Sequence, residues 1–131
     1  MTTSQTPAVP ARTWTVELPT YMPVINANRR MHHFRRAELT RNIRSTAFVC
    51  AKHLKVPALQ RAHIVCEFRP PDRRRRDVHN LYPTAKAAVD GLVDAGVLPD
   101  DSDRYLTGPD MRLGEYEQGG RIVLHITELE A

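Results

Sequence analysis

Apolar and polar residues alternate from Thr13 to Leu18 (TWTVEL), with Trp14, Val16 and Leu18 on one face; this predicts a first strand, closed by Pro19 and Pro23. The repeat then lengthens. Between about Ala37 and Leu54, Leu39, Ile43, Ala47 and Cys50 recur at steps of four and three, and Phe48 and Leu54 extend the stripe. That spacing predicts an amphipathic helix, ended by Pro57. Arg61 to Phe68 (RAHIVCEF) returns to a period of two and sets Ala62, Ile64, Cys66 and Phe68 together, a second strand broken by Pro70 and Pro71. A second helix is expected from about Leu81 to Ala95, with Ala85, Ala88, Val89, Leu92 and Val93 inward. Asn80 is placed to cap it, Pro83 falls in the first turn where amides lack partners, and Gly96 follows its end. The last third predicts a hairpin: roughly Arg104 to Tyr116, a turn through Glu117-Gln118-Gly119-Gly120, then Arg121 to Leu129. Within it Ile122, Leu124 and Ile126 alternate with Val123, His125 and Thr127.

The order strand, helix, strand, helix, hairpin describes an α/β (α+β) domain with a small mixed sheet. A chain of 131 residues suits one domain, taken as residues 12–131, behind a polar, proline-containing lead-in over residues 1–11 that is expected to be disordered. No segment has the apolar length of a signal or a membrane span, so a cytoplasmic protein without membrane association is expected. Cys50 and Cys66 lie in apolar segments outside any CxxC pair and read as reduced core residues of a reducing compartment. Zinc binding by His63 with Cys66 is disfavoured, because an offset of three on a strand points them to opposite faces.

Charge changes the picture. Apolar residues (41%) and charged ones (26%) occur at ordinary globular levels, and the net charge is only +4, yet it is unevenly spread. Residues 29 to 44 carry Arg29, Arg30, Arg35, Arg36, Arg41 and Arg44 against Glu38 alone, whereas the chain beyond Asp100 turns acidic. The densest stretch is Pro70 to Lys86, PPDRRRRDVHNLYPTAK. Arg73, Arg74, Arg75 and Arg76 require solvent or a polyanion. Asp77 and His79 follow, both competent ligands for a divalent cation, and on an extended backbone they project to one side. Asp100, Asp101 and Asp103 add carboxylates beyond the second helix. Two such charges about 4 Å apart repel by roughly 4 kcal/mol at an effective dielectric near 20, so gathering them calls for a cation or a proton. Magnesium suits one or two carboxylates completed by water and a substrate phosphate. Plainer readings exist for every part: a solvated acidic loop, a turn histidine, an exposed arginine run, a surface lysine, a capping asparagine. Pattern alone leaves function open.

At these residues the chain resembles the RusA family of Holliday junction resolvases. The resemblance runs from PDRRRRD (Pro71 to Asp77) through Asn80-Leu81 and KAAVDGLVDAG (Lys86 to Gly96) to Asp100-Asp101. It closes on GGRIVLHITEL (Gly119 to Leu129) and extends more weakly to Leu18 to Asn28. It implies a homodimeric, magnesium-dependent endonuclease that nicks four-way or branched DNA. It assigns Asp77, His79 and Asp101 to the metal and Lys86 to the scissile phosphate. Arg73 to Arg76, with Arg29 and Arg30 of the basic loop, would hold junction arms. Lys86 would lean back toward the helix N-terminus, hence toward Asp77.

Two features depart from the family pattern. His79 stands where an aspartate is usual, which weakens the case for magnesium and favours manganese. Lys86 follows Asn80 by six residues rather than three. Within a helix those three residues would rotate it roughly 60° and shift it about 4.5 Å; in a loop through Tyr82-Pro83-Thr84 it would keep its place. Two other functions stay open: a junction-binding protein with weak or no nuclease activity, and a basic RNA- or duplex-binding module.

Overall fold

The period-two segments form one four-stranded sheet. In the computed structural model, which describes residues 11–131, the elements are β1 (Thr13–Glu17), α1 (His33–Leu54), β2 (Ala62–Arg69), a 3-10 turn (Val78–Leu81), α2 (Tyr82–Asp94), β3 (Leu106–Leu113) and β4 (Arg121–Glu128). All but residue 11 of the expected disordered lead-in lies outside the described residues. The strand order is β1-β4-β2-β3, with β4 antiparallel to both β1 and β2 and β3 parallel to β2. The domain is thus the mixed α/β (α+β) fold that the pattern predicts.

The expected C-terminal hairpin does not form. β3 and β4 both exist, but β2 lies between them, and α2 serves as the crossover that lets β2 and β3 run parallel. The segment between β3 and β4 climbs over the end of β2 instead of folding back. Gly114 N donates to Phe68 O (2.8 Å), Glu117 N to Pro70 O (3.0 Å), and the turn closes with Gly120 N on Glu117 O (2.8 Å). Gly119 and Gly120 have φ of 84° and 72°, a conformation that favours glycine. The turn residues were therefore legible, while the partner strand was not. Alternation marks a strand without saying which neighbour it bonds.

One sheet face packs on the helices. Ala62, Ile64, Cys66 and Phe68 are buried as expected, with Val16, Leu124 and Ile126 beside them. Burial pushes the Cys66 thiol up to about 12, with Glu67 adding to it, so Cys66 stays a thiol in the core. His63 lies on the other face against Asp110 (2.5 Å), as the offset of three requires. From α1 come Leu39, Ile43, Ala47 and Ala51; Leu54 is 44% exposed and does not join the stripe. α1 also begins a turn earlier than its apolar pattern, because His32 Nδ1 accepts from Phe34 N (3.2 Å) and caps it. α2 crosses α1 at Gly91, where a Cβ would press into the Arg44 carbonyl and the Ala47 methyl. Arg44 clamps the same junction through Asp94 (2.6 and 2.8 Å). No helix among the described residues is long and apolar enough to cross a membrane.

Candidate nucleic-acid interface

The basic loop after Asn26 and the arginine run are brought together. Both line one cleft of about 580 Å³, with Arg29, Arg74, Arg75 and Arg76 around it and Asp77 and Asn80 at its edge. The two walls are stitched by Ala27 N donating to Asn80 O (2.7 Å). Thr84, itself buried, adds two hydrogen bonds: its Oγ1 accepts from Ile25 N (2.8 Å) and donates to Ile25 O (2.9 Å). Asn80 does not cap α2. Leu81 holds the cap position without a side-chain bond, since the chain enters α2 through the 3-10 turn that contains Asn80. The cap belongs to Asp77, whose Oδ1 accepts from His79 N (3.0 Å) at the start of that turn.

The four arginines differ. Asp72 takes Arg76 (2.8 Å) and Arg74 (3.0 Å), and those two guanidiniums hold its carboxyl well below the usual range. Arg73 lies over the Tyr116 ring, 5.1 Å from its centroid. Among the described residues Arg29, Arg30, Arg73 and Arg75 make no ion pair. Asp77 sits directly after the run, 64% exposed, and pairs with no arginine. Its neighbour is His79, with Nδ1 at 3.3 Å from Oδ1.

Lys86 points the other way. Tyr82 to Thr84 belong to α2 rather than to a loop before it, so Lys86 sits on the helix proper. Its Nζ meets Asp90 Oδ1 at 2.6 Å and Asp101 Oδ2 at 2.7 Å, toward the C-terminal end of α2 and away from the expected lean. Two carboxylates on that side outweigh the rotamer preference. The ammonium pulls Asp101 down, against its partial burial, and Asp101 and Asp90 together raise Lys86. Asp90 was missed by the sequence reading. Its signal was available as a Lys–Asp pair four apart on one helix face.

Among the described residues no ion pair or hydrogen bond links Asp77 or His79 with Lys86, Asp90 or Asp101, and no three His, Cys, Asp or Glu side chains assemble as a metal-holding group. The donors therefore make no all-protein cage. A cation held by one or two carboxylates and completed by water and a phosphate needs no such cage. Asp77 and His79 offer an exposed oxygen and nitrogen for that purpose. Asp100, like Asp77, accepts from the amide two residues on, Ser102 N (2.7 Å). No protein-family model matches the chain, and no curated protein does.

Proposed function

We propose that this protein is a structure-specific endonuclease that cuts four-way or branched DNA with a divalent cation. One observation carries the reading: an exposed carboxylate, Asp77, stands at the lip of a basic cleft and is paired with none of the four arginines beside it. Next to a bound phosphate that carboxylate is repulsive unless a cation lies between them. The similarity of PDRRRRD, KAAVDGLVDAG and Asp100-Asp101 to RusA resolvases points the same way.

In this reading Arg29, Arg30, Arg73 and Arg75 take backbone phosphates, with Arg74 and Arg76 steadied on Asp72. Asp77 and His79 would hold magnesium or manganese; Asp101, which pairs with Lys86, would join them only by leaving that ammonium. Bound there, the ion would neutralise phosphate charge and lower the pKa of a water. Lys86, held between Asp101 and Asp90, would have to release those carboxylates and turn toward the N-terminal end of α2 to stabilise charge on the scissile phosphate. A homodimer would present two such sites to opposed strands.

A second reading is a junction-binding protein on the same scaffold without cutting. The engagement of Asp101 by Lys86, apart from Asp77, favours it. Purified protein incubated with a labelled synthetic four-way junction, in magnesium and then manganese, separates the two. Nicks in opposed strands are expected, stronger in manganese, with binding that weakens steeply as salt rises. Tight junction binding without nicks in either metal would leave only the second reading. Equal affinity for linear duplex would remove both.

A further inference from the structure

The arginine cleft has a floor that phosphates do not need. Phe68 and Leu81, each 6% exposed, form its base, and the half-buried Val24 and Met31 form a wall. Above them the side chains of Asn28 and Asn80 make no hydrogen bond to the protein among the described residues. Asn26 spends only its oxygen, which accepts from Asn28 N (2.8 Å) and leaves its amino group over. Apolar floor, open amides and a basic rim together match a nucleotide rather than a backbone. A duplex offers phosphates and groove edges, its base faces being stacked away. An unpaired base offers a flat apolar face, a hydrogen-bonding edge and an attached phosphate.

We infer that this cleft receives one unpaired nucleobase of a bound DNA strand, its face on the Phe68–Leu81 floor and its edge on Asn28 and Asn80. The inference rests on the nucleic-acid reading above and adds what the site selects: strands with an unstacked base, as a branch point supplies. The cleft's volume of about 580 Å³ falls within the range of small-molecule sites. It is preformed, because the Ala27–Asn80 and Ile25–Thr84 bonds fix its two walls to one helix end. The expected readout is stacking plus edge recognition, worth roughly tenfold in affinity.

The test compares two four-way junctions in calcium, identical except that one carries abasic sites in place of the bases at the branch. Binding is followed by fluorescence anisotropy. Wild type should bind the intact junction about tenfold more tightly than the abasic one. The Asn28→Ala/Asn80→Ala double variant should lose most of that difference, and Met31→Trp, which fills the cleft, should lose it too. Both substitute residues that are not fully buried, and thermal melting checks that they fold. Equal wild-type affinity for the two junctions, with either still preferred over linear duplex, overturns the base pocket and spares the junction reading. Discrimination that survives in both variants places the base elsewhere and overturns it as well. No binding to any DNA at low salt overturns both.

Discussion

Two aspartates bracket the same four arginines, and the fold treats them in opposite ways. Asp72 gathers Arg74 and Arg76 and becomes a strut of the loop. Asp77, five residues on, pairs with none and stays open to solvent. The cause is local geometry. Asp77 caps the 3-10 turn at Val78–Leu81, which commits one oxygen to the His79 amide and turns the other outward. Asp72 precedes the run, where the extended chain can fold Arg74 and Arg76 back onto it. Adjacency to opposite charge therefore does not decide pairing; backbone direction does. An aspartate held by its own turn remains available as a ligand.

The largest effect should come from removing that available charge. Asp77→Asn keeps the cap, since an amide oxygen still accepts from His79 N, but deletes the charge that would hold a cation. Nicking of a four-way junction should fall by at least about 100-fold while junction affinity holds or rises. Asp72→Asn should do the reverse, loosening Arg74 and Arg76 and altering affinity a few-fold with cutting largely intact. If both variants cut alike, the contrast between the two aspartates has no functional content.

Much of this was legible beforehand. Periodicity located β1, β2, β4 and both helices, because one buried face imposes its repeat on each; β3, exposed over most of its length, was expected only as the first arm of the hairpin. Positions such as Ile43, Ala47, Ile64, Val89 and Leu92 are buried as their spacing required. Arg29, Arg74 to Arg76 and Asp77 were named from sequence and share one cleft. Strand pairing was not legible: β2 inserts between the two strands of the expected hairpin, a long-range choice that no local pattern encodes. Nor was the direction of Lys86. Which carboxylate a long side chain meets depends on where the loop after α2 returns, and that loop brings Asp101 within 2.7 Å of the Lys86 ammonium.

The next effect concerns the helix that carries Lys86 and Asp90 but not Asp77. Gly91 lets α2 touch the backbone of α1, and Gly91→Ala inserts a methyl against the Arg44 carbonyl and Ala47. Such overpacking costs about 1–3 kcal/mol, seen as a lower urea midpoint. Because Asp90 adjoins the crossing, cutting should fall more than junction binding when both are measured well below the melting temperature. Equal losses would mean that the cleft depends on α2 position as much as the lysine does. A smaller change is expected at His79. His79→Asp adds a second carboxylate beside Asp77, raising magnesium-supported cutting a few-fold and narrowing the advantage of manganese. A fall in both metals would assign the imidazole a role of its own.

The smallest effect extends the contrast to the open face of the sheet, where a third carboxylate is pinned as Asp72 is. Burial alone would raise the Glu67 carboxyl, but hydrogen bonds from His125 (2.6 Å) and Arg69 (3.0 Å) outweigh it and hold the group below the ordinary glutamate value. A carboxyl lowered in the folded state binds fewer protons there than in the unfolded chain. Its contribution is therefore complete above the unfolded value, about 4.3, and is lost as pH falls through the lower folded one. His125→Ala removes the stronger of the two donors and should reduce that contribution. Its melting temperature should lie a few degrees below wild type at pH 5 to 7, and the two curves should converge as pH drops toward about 3. A deficit that persists unchanged into acid would mean that His125 stabilises the sheet by packing rather than by holding Glu67 charged.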